Sequence, residues 1–162
     1  MPKGASLAVV VSCAVFTAGC GSKGAVSLTG AILDPSLAVE QTAIGTLLSG
    51  EFDLMLALGK FAPDSATVES PTVSLVEADT NADVGSKTLS VQSPDVTFPL
   101  DVAPGKDVTI AFELDASTPI DTDAVDPLCS APVRIVATVP HSLEGGTTLT
   151  ARSEPIDVAG CP

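Results

Sequence analysis

Four cysteines, a single histidine and a run of aspartates are the residues of this chain whose types could do chemistry. Cys13, Cys20, Cys129 and Cys161 are scattered along its 162 residues. Cys129 and Cys161, far apart and accompanied only by His141 without CxxC or HxxxH spacing, do not make a four-ligand metal set. His141 stands alone before a turn. With no Gly-x-Ser-x-Gly elbow and no other helix-borne nucleophile motif, the sequence assigns it no catalytic partner and points to no enzyme, no catalytic residue and no cofactor. Asp115, Asp121, Asp123 and Asp126 cluster in one acidic loop, residues 115–127, and Asp121 to Asp126 could offer oxygen ligands to calcium. The loop lacks the central Gly and distal Glu of an EF-hand, and loop aspartates also simply make turns. Asp79 and Asp83 repeat the pattern more sparsely. Gly145-Gly146 is a turn signal, because no Lys-Ser/Thr pair or helix follows it to cradle a phosphate.

The N-terminal cysteines sit in a different context. Lys3 and the initiator amine give a short positive region, and Ala5 to Phe16 is apolar and small, the form of a secretory signal peptide. At about 15 residues, the stretch 5–19 falls short of the roughly 20 needed to span a bilayer. Thr17-Ala18-Gly19-Cys20 at its end resembles the lipobox of bacterial lipoproteins. The match is good at Ala18, Gly19 and Cys20 and weaker at Thr17, where the family usually has Leu. Val10-Val11-Ser12-Cys13 also fits, but leaves a shorter apolar core and puts Ala14-Val15-Phe16 at the mature end; ordinary cleavage near Gly19 is the other alternative.

The resemblance implies that residues 1–19 are removed, that Cys20 carries acyl chains such as palmitate, and that the protein is exported and anchored at a cell envelope or outer membrane. Gly21 after the cysteine is compatible with outer-membrane sorting; a freely periplasmic or secreted protein is the alternative. Cleavage before Cys20 leaves three cysteines, an odd number for an oxidising compartment. Acylation of Cys20 then leaves Cys129 and Cys161 as a disulfide pair, closing a loop of about 33 residues and contributing roughly 3–4 kcal/mol in the chain-entropy estimate. Residues 20–25 form the lipidated cysteine and a short tether, spanning roughly 10–15 Å, so the domain of residues 26–162 sits close to its membrane.

Composition narrows the function further. The chain has no Trp, no Tyr and five Phe, with a formal net charge of −13. Few aromatics disfavour stacking platforms for bases and the aromatic anchors of many protein interfaces. The acidity disfavours binding to nucleic acid, or electrostatic capture of the whole molecule by bare anionic lipid headgroups. It suits solvation of a β-rich exported protein.

The elements that must position these residues read as strands. Val26 to Leu33 alternates loosely and ends at Asp34-Pro35, a turn signal. Ser36 to Leu48 fits a short helix or a strand equally. Phe52, Leu54, Leu56 and Leu58 alternate cleanly up to Gly59-Lys60, and Val73 and Leu75 lie inward in a further strand over 70–77. Leu89 and Val91 begin a short strand, and Val96, Phe98, Leu100 and Val102 resume the period with Pro99 at an edge or bulge. A turn at Ala103-Pro104-Gly105-Lys106 then leads into Val108, Ile110, Phe112 and Leu114, predicting an antiparallel hairpin.

Val133, Ile135, Ala137 and Val139 form another strand, and 147–151 with 156–158 the last one, fastened by the disulfide. About seven to eight short strands with turns between them predict an all-β domain, a single antiparallel β-sandwich. Phe98 to Leu114 is similar to the late hairpin of bacterial immunoglobulin-like domains, although core Trp, tyrosine corner and inter-sheet cysteine spacing are missing. The expected function is a non-catalytic, lipid-anchored envelope protein with a structural role or a protein partner; the alternative is a calcium- or small-ligand-binding module using residues 115–127.

Overall fold

The protein is described by a computed structural model covering residues 26–85, 88–116, 119–143 and 147–161. The expected leader 1–19, Cys20 and the expected tether up to residue 25 lie outside the described residues. Nine strands and one helix are present among them, arranged in antiparallel sheets.

Strands β1 (Leu28–Thr42) and β2 (Gly45–Leu58) form a long hairpin, paired from Leu28 opposite Leu58 to Thr42 opposite Gly45. Asp34-Pro35 does not end the first strand, correcting the sequence expectation. The register shifts between Leu33 and Ser36, with Asp34 at a positive φ of 46°. A β-bulge absorbs the proline, whose missing N–H and fixed φ an edge strand tolerates, and the strand continues. The undecided segment 36–48 is therefore strand, turn and strand.

β2 pairs on its other side with β7 (Asp107–Leu114), which pairs with β5 (Val91–Gln92), so the sheet order is β1-β2-β7-β5. The alternating sets behave as their period requires: Phe52, Leu54, Leu56, Leu58, Ile110, Phe112 and Leu114 are all buried. Phe52 faces Phe112 across the ladder with ring centroids 5.3 Å apart, and Phe98 stacks on Phe112 at 6.2 Å. Offset ring stacking of this kind adds about 0.5–1.5 kcal/mol per pair to area burial.

A second sheet joins β4 (Thr72–Glu77), β8 (Val133–Pro140) and β9 (Thr148–Arg152), in that order. Val73, Leu75, Val133, Ile135, Ala137, Val139 and Ala151 from this sheet join the same hydrophobic core. Two short strands, β3 (Ala66–Val68) and β6 (Leu100–Val102), pair with each other. This pairing overturns the expected hairpin from Phe98 to Leu114, because β6 and β7 do not pair. The chain does turn at Pro104-Gly105, with Lys106 N–H donating to Ala103 O at 3.0 Å. The turn, however, docks on the end of β2: Leu58 N–H donates to Lys106 O and Gly105 N–H to Leu58 O, both at 3.0 Å. Val96 and Phe98 lie outside any strand, partly buried against the core. Pro99 precedes β6 rather than interrupting it.

Two short crossings lace the sheets at their edges. At one, Leu89 bridges Val73 of β4, and Val91 two residues on pairs with Leu114 of β7. At the other, Ile156 bridges Val133 of β8 and Ala159 bridges Ala38 of β1, with Val39 N–H donating to Ala159 O at 2.8 Å. The expected last strand over 147–158 thus becomes a strand and a crossing tail. Buried Ser153 starts this tail by extending the ladder, its Oγ accepting the Ile135 N–H at 2.9 Å and donating to Glu154 O at 2.7 Å. Gly160 completes it at φ 76°, packed so closely on Val39 O that a Cβ would collide with the carbonyl. The long β1–β2 hairpin gives the molecule two ends, on the order of 40 Å apart along the strand: an entry pole where Val26 leads into β1, and a hairpin pole at Ala43-Ile44.

Candidate functional site

The acidic segment is more ordered than a loop. Helix α1 (Thr122–Ser130) occupies most of it, a correction to the sequence reading of 115–127 as irregular. Ile120, Ala124 and Leu128 are spaced by four, a helical stripe; Ala124 and Leu128 are buried and Ile120 packs partly buried against the core. Asp121 stands at the N-cap and Asp123 in the first turn, where negative charge meets the positive end of the helix dipole. Pro127 lies inside the helix and removes one i to i−4 hydrogen bond. The helix ends at Ala131, extended at φ −150° because Pro132 follows and disfavours the α conformation before it. Tertiary bonds hold the approach to the helix: Asp115 N–H donates to Ser90 O, and Ile120 N–H to Thr46 O, each at 2.9 Å.

The helix roofs a pocket of about 200 Å³ at the hairpin pole. Leu48, Leu75, Val84, Leu89, Leu114, Ile120, Ala124 and Leu128 supply apolar walls, with Asp115 and Asp121 also in the lining. Asp123 and Asp126 take no part in the lining, and Asp121, Asp123 and Asp126 are all exposed to solvent. The four aspartates therefore do not share one ligand set, and among the described residues no group of three or more His, Cys, Asp or Glu side chains is placed to hold a metal. Asp79 and Asp83 belong to a turn after β4, where Thr80 Oγ1 donates to Glu77 Oε2 at 2.6 Å and Arg152 reaches Asn81 at 2.8 Å.

Cys129, on the helix, is bonded to Cys161 at the end of the crossing tail, with Cα atoms 5.5 Å apart. The bridge joins α1 to the segment lying against β1, rather than fastening a strand as the sequence reading expected. No protein-family model, no curated protein and no solved structure matches this chain. The site must be read from its own geometry.

His141 lies at the opposite end, in a cleft of about 560 Å³ lined also by Val26, Leu28, Asp64, Ser65 and Ser142. A serine, a histidine and an aspartate meet there, but not in catalytic order. His141 Nε2 is 3.4 Å from Thr147 Oγ1 and makes no hydrogen bond to Ser65 or Asp64, while the Ser142 hydroxyl accepts the Thr67 N–H at 2.9 Å. His141 Nδ1 is buried without a hydrogen-bond partner among the described residues. The apolar pocket escaped sequence reasoning because its walls come from five separate stretches; the spacing of Ile120, Ala124 and Leu128 was the one local signal for its roof.

Proposed function

We propose that this chain is an exported, lipid-anchored and non-catalytic envelope domain, an immunoglobulin-like β-sandwich that holds its helix-capped hairpin pole away from the membrane for contact with a partner. The observation that carries this reading is the Cys129–Cys161 bond. Structural disulfides belong to oxidising compartments, and this one consumes both cysteines of the folded domain. Cys20 is then the one cysteine of the processed chain without a disulfide role, and it stands in the lipobox-like Thr17-Ala18-Gly19-Cys20. The two larger of the three antiparallel sheets, sharing one core, support the sandwich, and β1 starting at Leu28 keeps the tether short.

Intact-mass analysis of protein from its native membrane fraction tests the anchor. The expected mass is residues 20–162 plus acyl chains, rising by two hydrogen atoms when the disulfide is reduced to two thiols. A mass without lipid overturns the anchor and leaves a freely secreted or periplasmic domain.

A second reading has one observation in its favour. The pocket beneath α1 is lined by the very segment, 115–127, that marked a small-ligand module, and its walls are apolar. It suits a small apolar molecule rather than a calcium ion. A melting temperature raised by such a molecule and unmoved by calcium or chelator would support this reading, since only a ligand of the native state stabilises by mass action.

A further inference from the structure

We infer that the entry pole is a membrane seat: Phe61 and Val26 dip into the headgroup region of the bilayer that holds the lipid anchor, while Lys60 and Lys106 face its phosphates. This rests on the anchored reading given above and adds an orientation to it.

Phe61 is the odd aromatic of the domain. Phe52, Phe98 and Phe112 stack together, whereas Phe61 is 65 % exposed in the turn after β2. The Lys60 ammonium lies 4.8 Å from its ring centroid, an arrangement that keeps a cation beside an exposed ring. Val26, 47 % exposed, is close by: Gly59 N–H donates to Ser27 O at 3.1 Å, which ties the incoming chain to the turn carrying Phe61. Lys106 joins the same group through its carbonyl, which accepts the Leu58 N–H, and Gly105 packs against Lys60. A ring that dips and lysines that reach upward along its rim are how side chains settle at a membrane interface.

Chain length and charge select the bilayer as the occupant. Six residue steps separate Cys20 from Val26, at most about 20 Å of extended chain, and part of that is spent crossing the headgroups. The entry pole is therefore held against the lipid surface, whereas the hairpin pole lies on the order of 40 Å farther along β1. Lys60 and Lys106 stand against Asp64, Asp101 and Asp107, leaving the entry pole only mildly acidic. The hairpin-pole half of the molecule carries Asp79, Asp83, Asp115, Asp121, Asp123 and Asp126 against two described cations, Arg134 and Arg152. An anionic surface repels the strongly acidic end more than the mildly acidic, lysine-bearing one, so charge and tether favour the same orientation.

The chain has no Trp or Tyr, so one introduced indole reports alone. The full-length lipidated protein, carrying either Phe61→Trp or Ile44→Trp, would be reconstituted into vesicles of three parts phosphatidylcholine to one part phosphatidylglycerol, with brominated acyl chains. Ile44, 71 % exposed at the hairpin pole, is the matched control. The expected result is loss of about half or more of the emission of the Phe61→Trp protein, as for a ring seated at the headgroup–acyl boundary, with the Ile44→Trp protein unquenched. Vesicle flotation separates the two ways of failing. Protein that floats with vesicles but is unquenched at position 61 overturns the seat and leaves the anchor standing, as does equal quenching at both positions. Lipid-extracted protein that does not float overturns the anchor and the seat together.

Discussion

The two ends of this domain are built by different means. The hairpin pole gathers parts from across the chain: the tip of β1–β2, the roof helix α1, and the tail that leaves β8 at Ile156 and reaches β1 at Ala159, closed by Cys129–Cys161. The entry pole centres on two local turns, at Gly59–Ala62 and Ala103–Lys106, tied to each other and to the incoming chain by backbone hydrogen bonds without a cross-link, with Phe61 left in the open. A pole assembled from distant segments must offset the entropy of bringing them together, and a cross-link that constrains the unfolded chain does so. Turns of three or four residues need no such device, which leaves their side chains available for contact with something outside the molecule.

If this contrast is right, perturbations at the hairpin pole unfold the protein and those at the entry pole do not. Replacing both Cys129 and Cys161 by Ala is expected to cost about 3–4 kcal/mol, from a sequence separation of 32 residues, and to lower the melting temperature by roughly 10 °C, read by calorimetry. Leu128→Ala, removing a buried wall of the pocket, should cost about 2–3 kcal/mol in urea unfolding. Gly160→Ala comes next, at about 1–3 kcal/mol from its positive φ, with relaxation around Val39 O adding to that. Phe61→Ser marks the other extreme: at 65 % exposure the loss should stay within about 0.5 kcal/mol, with the protein still held to vesicles by its lipid. A Phe61→Ser protein as unstable as the cysteine variant would erase the distinction between the poles. Cys20→Ser is expected to release the protein from membranes at unchanged melting temperature.

How far residues alone carried the reading depended on whether their partners were near in sequence. Phe52 to Leu58, Ile110 to Leu114, Val73 with Leu75, and Val133 to Val139 show the strand period directly, and the structure buries those side chains as the alternation requires. The helix at Thr122–Ser130 was hidden because an aspartate-rich stretch containing Pro127 has the composition of a loop; only its buried stripe, facing walls from other elements, makes it a helix. The candidate pocket was illegible for the same reason, since Leu48, Leu75 and Leu114 are ordinary strand residues, and Leu89 a bridge residue beside β4, until three strands and the helix converge.

The sequence by itself determined the all-β character and the inward faces of the main strands, since side-chain period is a local property; the pairing of Cys129 with Cys161 was expected only through the lipobox resemblance that sets Cys20 aside, because four cysteines alone allow three pairings. Tertiary structure alone decided which strands are neighbours. A Pro-Gly turn between two alternating runs reads as a hairpin, yet β6 pairs with β3 and β7 with β2. Backbone ladders carry no side-chain code for their partner; the choice is made by which arrangement closes one core around Phe52, Phe98 and Phe112. Likewise Asp34-Pro35 became a bulge within a strand because residues on both sides find partners in β2, a fact that no local signal contains.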